Sequence, residues 1–309
     1  MRDRLFAISQ TGVSHLTADT RRPFAPCQDA YKIYEFSEDD ILEYKGNLKG
    51  TIIAVADGHG NPIFHGSSEF GARLAVEAAV ECMMDLVNEY EKTPDPIIFK
   101  CFPKTVVTVW RDWVIEHALN RFPEQDLKKR FKNTQAFTEY CQRILMDYGS
   151  TLLTVLVIPE KNLLVAAQIG DGDLLIMHHS EQEPNVHRLI RGNPDEEFGS
   201  NRTESMCMHD AEEKFQVLIM DGERDEEVKK QLKDFVLMAA TDGISSGALS
   251  ENHFLNDFCR VWMKAYMNSE NETERKSVQN LMEDRMENEI RYYSPDDMTL
   301  VLFAVNDRD

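Results

Sequence analysis

The sequence predicts an α+β protein, a four-layer α-β-β-α sandwich in which two antiparallel β-sheets lie between layers of helices. Three observations predict it. A pair of long helical patterns fills much of the first half, and a second, more polar pair comes near the end. Between the pairs, short strand patterns follow one another with only a few residues in between, too few for crossover helices and suited to antiparallel hairpins. The 309 residues contain no Gly/Ser linker, internal repeat or low-complexity tract. A single domain spanning 1–309 is therefore expected.

Taken in order, a short alternating segment, Tyr31 to Phe36, comes first, and Thr51 to Ala56 is a β-branched and apolar run that suits a strand buried on both faces. Ser67 or Ser68 can cap a helix reaching about Tyr90, with Phe70, Leu74, Ala78, Met83, Leu86 and Tyr90 near one side. Thr93-Pro-Asp-Pro96 ends it. A second helix covers Lys104 to Arg121, where Val106, Trp110, Trp113, Val114 and His117 recur at helical spacing and His117 reads as a packing residue. A third covers about 126–148. Strands follow at about 151–158, 162–169, 173–179, 186–190, 215–220 and 235–240. Two polar amphipathic helices, about 251–268 and 272–291, precede a closing strand at 298–305. His178 and His179 are adjacent in a strand, so their rings point to opposite faces and do not share a metal.

Charge and composition narrow the function. A net charge of −20 repels nucleic acid and anionic membranes, so neither is an expected partner, and basic protein surfaces are favoured instead. The longest apolar run, Leu152 to Ile158, is far too short to span a bilayer, and no charged-then-apolar leader opens the chain. A cytoplasmic protein is the expectation. Six cysteines, at 27, 82, 101, 141, 207 and 259, form neither zinc-ligand pairs nor a disulfide framework, and read as buried cytosolic thiols.

The chemistry is carried by aspartates at strand ends. Thr51 to Ala56 runs into Asp57-Gly58-His59-Gly60, and Phe235 to Ala240 runs into Thr241-Asp242-Gly243. Asp296 and Asp297 stand just before Met298 to Val305, Asp29 precedes Tyr31 to Phe36, and Asp171 in Gly170-Asp171-Gly172-Asp173 follows Leu163 to Ala167. A carboxylate fixed at the end of a buried strand is a good ligand for a hard metal ion, and glycine beside it lets a backbone carbonyl approach the same ion. Carboxylates gathered at one end of a sheet repel one another unless cations neutralise them.

These residues carry a family resemblance. Asp29, Asp57-Gly58-His59-Gly60, Gly149-Ser150-Thr151, Gly170-Asp171, Thr241-Asp242-Gly243 and Asp296-Asp297-Met298-Thr299 occur in the order of the motifs of metal-dependent serine/threonine protein phosphatases of type 2C. The chain most resembles a bacterial branch with the patterns Gly12-Val-Ser-His15 and Cys27-Gln-Asp-Ala30, and the similarity spans roughly residues 8 to 305. The resemblance implies the four-layer fold and two Mn²⁺ or Mg²⁺ ions held by Asp29, Asp57, the carbonyl of Gly58, Asp242 and Asp296. It also implies Asp171 at a third, looser ion and His59 as general acid to the leaving alcohol. A phosphorylated protein substrate and a cognate serine/threonine kinase are the partners it implies.

The chain departs from the family's pattern at several places. The second acid of the third-ion site is Ser246, and the usual phosphate-binding arginine is Phe24, which leaves Arg21, Arg22 or Arg202 to contact phosphate. The last motif has Asp297 where relatives carry asparagine, so position in the motif favours Asp296 as the ligand. Two bridged divalent ions can lower the pKa of a shared water, direct it in line and neutralise the phosphoryl oxygens. Two alternatives stay open: a pseudophosphatase that binds partners without turnover, and a phosphatase of small phosphorylated metabolites.

Overall fold

In a computed structural model of the chain, residues 4–12, 26–37, 40, 48–59, 67–121, 137–178, 185–190 and 203–305 are described. Among the described residues the strands are β1 (Arg4–Gln10), β2 (Ala30–Phe36), β3 (Gly50–Ala56), β4 (Leu152–Ile158), β5 (Leu163–Ile169), β6 (Asp173–His178), β7 (Val186–Arg188), β8 (Gln216–Asp221), β9 (Phe235–Ala240) and β10 (Met298–Val305). They form two five-stranded sheets, ordered β1-β10-β9-β6-β7 and β2-β3-β4-β5-β8, and every recorded pairing is antiparallel.

The layering follows from strands that are apolar on both faces. Ile53, Val55, Leu153, Val155, Leu164 and Ala166 of one sheet pack against Leu174, Ile176, Leu237, Val301 and Phe303 of the other. The alternate side chains Ile52, Ala54, Leu156 and Val165 face helices α1 (Ser68–Lys92), α2 (Phe102–Arg121) and α3 (Phe137–Asp147). On the far side, Met238, Leu300 and Leu302 face the later helices through Phe258, Trp262, Met263 and Met286. A strand between two apolar layers carries apolar side chains on both faces, with few exceptions such as Thr154 and Gln168. That is why β3, β4, β5, β9 and β10 read as near-continuous runs.

Several local expectations need correction. The hydroxyl of Ser67, the residue before α1, makes no capping bond, because its backbone is already helical (φ −97°, ψ −24°) and the side chain cannot turn back to the first turn. Residues 163–169 and 173–178 do not form a hairpin: the chain crosses from one sheet to the other between them, and β5 pairs with β8 while β6 pairs with β9. β1 is unanticipated and pairs along its whole length with β10. The expected helix over 126–148 is described from Phe137 onward, and the later helices each contain a π-helical turn, at Phe254–Cys259 and Met286–Ile290. Of the cysteines only Cys82 and Cys259 are buried, and all six are free thiols. Among the described residues no helix is long and apolar enough to cross a membrane.

Candidate metal centre

The antiparallel register gathers the strand-end acids at one end of both sheets. Asp29 and Asp57 follow from the Ala30–Ala56 pair that closes β2 on β3. Asp171 lies just beyond the Leu152–Ile169 pair of β4 and β5. Asp242 follows Ala240, which is opposite both Asp173 and Leu300, and Asp296 precedes β10. Five acids that are far apart in sequence thus reach one place.

Threonines from neighbouring segments bond three of them. Asp57 N–H donates to Thr151 Oγ1 at 2.9 Å, and Thr151 N–H donates to the Asp57 carbonyl at 2.9 Å. Thr241 Oγ1 donates to Asp29 Oδ2 at 2.8 Å and accepts from Thr299 N–H at 2.9 Å. Thr203 Oγ1 donates to Asp171 Oδ2 at 2.6 Å. The motif glycine at 149 has a steric reason: a Cβ there would stand 2.7 Å from the His59 carbonyl oxygen and 3.4 Å from its Nε2.

The two adjacent acids before β10 have different surroundings. Asp297 is buried, with Oδ1 accepting from Gly12 N–H and Oδ2 from Gln28 N–H, both at 2.6 Å. Its carboxylate ties three chain segments together. Asp296 is half-buried and lies close enough to Asp57 and Asp242 to raise the pKa of each.

Crowding of like charge in a partly buried setting shows in the titration. Asp29 is pushed up to about 8, by burial first and then by Asp297, against the pull of its Thr241 bond. Asp242 is pushed up to about 8 by burial and by Asp57, Asp171, Asp296 and Asp173. Asp57 is raised by burial, Asp29 and Asp296. The His59 ring is lowered by burial, while Asp171 and the Asp57 carbonyl favour its charged form. Cys27, next to Asp29, is pushed up to about 12 by burial and by Asp29 and Asp297, so it is a poor nucleophile.

Asp29 Oδ1 is buried and meets no hydrogen-bond donor among the described residues. An acceptor left so among carboxylates suits a hard divalent cation, which takes oxygen ligands. Among the described residues no group of three or more His, Cys, Asp or Glu side chains is spaced to hold a metal ion as it stands. Carboxylates with nothing positive between them lower their repulsion by standing apart or sharing protons.

Arg21, Arg22 and Arg202, the candidate phosphate contacts, lie outside the described residues, as do Phe24 and His15. Ser246 is exposed at the end of helix α4 (Asp242–Ser246). Sequence reasoning assigned no role to Asp173, which is 4% exposed, bonded to Arg188 Nε at 2.9 Å and to Nη2 at 2.8 Å. Arg188 also pairs with Glu251. Nor did it single out Gln168 or Thr203. The signal for Gln168 was a lone amide in the apolar run of β5.

The family model for protein phosphatase 2C matches residues 11–286. The chain belongs to the protein phosphatase 2C family. By that membership it is a metal-dependent serine/threonine protein phosphatase. Among solved structures, the catalytic domain of the serine/threonine protein phosphatase PstP in complex with two manganese ions has a TM-score of 0.53 at 14% identity, covering 98% of this chain and 99% of that one. A bacterial serine phosphatase has a TM-score of 0.55 at 13% identity with 100% of both chains covered. PppA, a regulatory component of T6SS in Pseudomonas aeruginosa, has a TM-score of 0.54 at 13% identity, covering 98% and 97%. At such identities these likenesses speak for the shared 2C fold. No curated protein sequence matches the chain closely enough to count as a relative.

Proposed function

We propose that Asp29, Asp57, Asp242 and Asp296, with the carbonyl of Gly58, hold two divalent cations, manganese or magnesium, and that Asp171 serves a third, looser one. The protein then hydrolyses phosphoserine and phosphothreonine on a protein substrate supplied by a cognate kinase, as one domain working in the cytoplasm. What supports this reading is that the strand ends bring five aspartates to the same end of both sheets, where burial and mutual repulsion raise Asp29, Asp57 and Asp242. Cations would remove that repulsion. PstP, of the same fold, binds two manganese ions.

When bound, such ions supply Lewis acidity, which lowers the pKa of water and offsets phosphoryl charge. The chain's own residues supply the rest. Thr151 and Thr241 hold Asp57 and Asp29 in place through the bonds described above. Asp297 locks the segments that carry Asp29 and β10. His59, set against Gly149, donates a proton to the departing seryl or threonyl oxygen. An arriving phosphate dianion favours the charged imidazole in the way that Asp171 already does.

The test is hydrolysis of a phosphothreonine peptide with Mn²⁺, with Mg²⁺ and with chelator, beside Asp57→Asn and Asp242→Asn. Turnover that needs metal and is lost in both variants is expected. Turnover of a small phosphoester but no peptide would reassign the substrate to metabolites. Tight metal binding by a folded protein with no turnover of either would reassign it to a pseudophosphatase.

A further inference from the structure

The turn between β5 and β6 carries the chain from one sheet to the other, so its carbonyls have no strand neighbour to bond. Gln168 takes their place. Its Nε2 donates to the Gly170 carbonyl at 3.1 Å and to the Gly172 carbonyl at 2.6 Å, the two residues that bracket Asp171. Gln168 is 6% exposed and shares the inter-sheet face of β5 with Leu164 and Ala166. Its Oε1 is buried and meets no donor among the described residues, which costs stability that an apolar side chain would not forfeit. A group kept at such a cost is one that holds something in position.

On either side of the acid the backbone suits only glycine. Gly170 adopts φ +102°, a backbone that other residues rarely take, and a Cβ on Gly172 would meet the Ala240 carbonyl oxygen at 2.7 Å. Thr203 bonds the acid directly, its Oγ1 donating to Asp171 Oδ2. With Ser246 exposed and offering no carboxylate, an ion at Asp171 has fewer acidic ligands to share it, so the aim of this one carboxylate counts for more.

We propose that Gln168 and Thr203 are positioning residues that aim Asp171 at a divalent cation, Gln168 through the turn's backbone and Thr203 through the carboxylate. The inference rests on the role given to Asp171 above. Partners behind a metal ligand typically contribute 10- to 100-fold, roughly, to affinity.

Mn²⁺ binding, followed by the electron-paramagnetic-resonance signal of the free ion, tests it in wild type, Asp171→Asn, Gln168→Met, Thr203→Val and the double variant Gln168→Met/Asp171→Asn. Asp171→Asn is expected to weaken only the loosest class of Mn²⁺. Gln168→Met and Thr203→Val should each weaken that same class by roughly 10- to 100-fold. In the Asp171→Asn background, Gln168→Met should add nothing, because the two act through one group. Loss of thermal stability with the loose class unchanged, or additive effects in the double variant, overturns the inference while leaving Asp171 in its role. If Asp171→Asn leaves all Mn²⁺ binding unchanged, the role of Asp171 fails and the inference fails with it. Should Gln168→Met not fold, Thr203→Val carries the test, since that hydroxyl is part-buried and supports no backbone of the turn.

Discussion

Asp296 and Asp297 are chemically identical neighbours with opposite work. Asp297 accepts from two backbone N–H groups, of Gly12 and Gln28, that have lost water. Asp297→Ala therefore strands both donors, at about 1–3 kcal/mol for each. Its unfolding midpoint in urea should fall well below that of the wild type. Asp296→Asn instead removes one charge from a repelling cluster, so the metal-free variant should be at least as stable as wild type while metal-dependent turnover is lost. Equal stability losses in the two variants would show that Asp297 is not the structural member of the pair. The sequence pointed to Asp296 only by its place in a motif, and the two N–H groups already bonded to Asp297 support the same proposed assignment. Asp173 went unassigned for a related reason. Its partner Arg188 lies 15 residues away in β7, a distance at which sequence pattern gives no sign of an ion pair.

At the scale of elements, strands buried on both faces were legible because two apolar layers demand near-continuous apolar runs. What local pattern did not carry was pairing. β1 carries Leu5 and Ala7 toward the inter-sheet core and Phe6 and Ile8 toward the helices, yet it is defined by β10 at the other end of the chain. The crossing from β5 to β6 looks like a hairpin by spacing but is a change of sheet, with Gly170 at positive φ and Gln168 bonded to the turn's carbonyls. Junctions between elements are also where the site is most exposed to small displacements. At the α3–β4 junction, the Gly149→Ala methyl would press on the His59 backbone. A misplacement of about 1 Å can cost on the order of 100-fold in rate. Gly149→Ala is accordingly expected to lower kcat on a phosphothreonine peptide by that order, with Mn²⁺ affinity close to wild type because Thr151 still holds Asp57. A variant that lost Mn²⁺ binding in step with kcat would show that the glycine serves the acids rather than the histidine.

The whole molecule joins a net charge of −20 to a buried acidic centre, and both make the metal-free protein dependent on pH. Asp29 and Asp242 titrate near 8 when folded, with 3.8 as their ordinary value. Between those limits the folded state binds more protons than the unfolded one, so stability falls as pH rises through that window. Repulsion among surface acids acts in the same direction as more of them ionise. Cations invert the trend, because they bind the ionised carboxylates and must displace protons at low pH. An ion present at a hundredfold its Kd stabilises the folded state by about 2.7 kcal/mol per site. Thermal unfolding with chelator should thus give a lower Tm at pH 8 than at pH 5.5, and Mn²⁺ should raise Tm more at pH 8 than at pH 5.5. A chelated protein that grows more stable on going to pH 8 would mean that the carboxylates are already neutralised by the protein itself. The site would then have no need of cations, and the two-ion proposal would lose its physical basis.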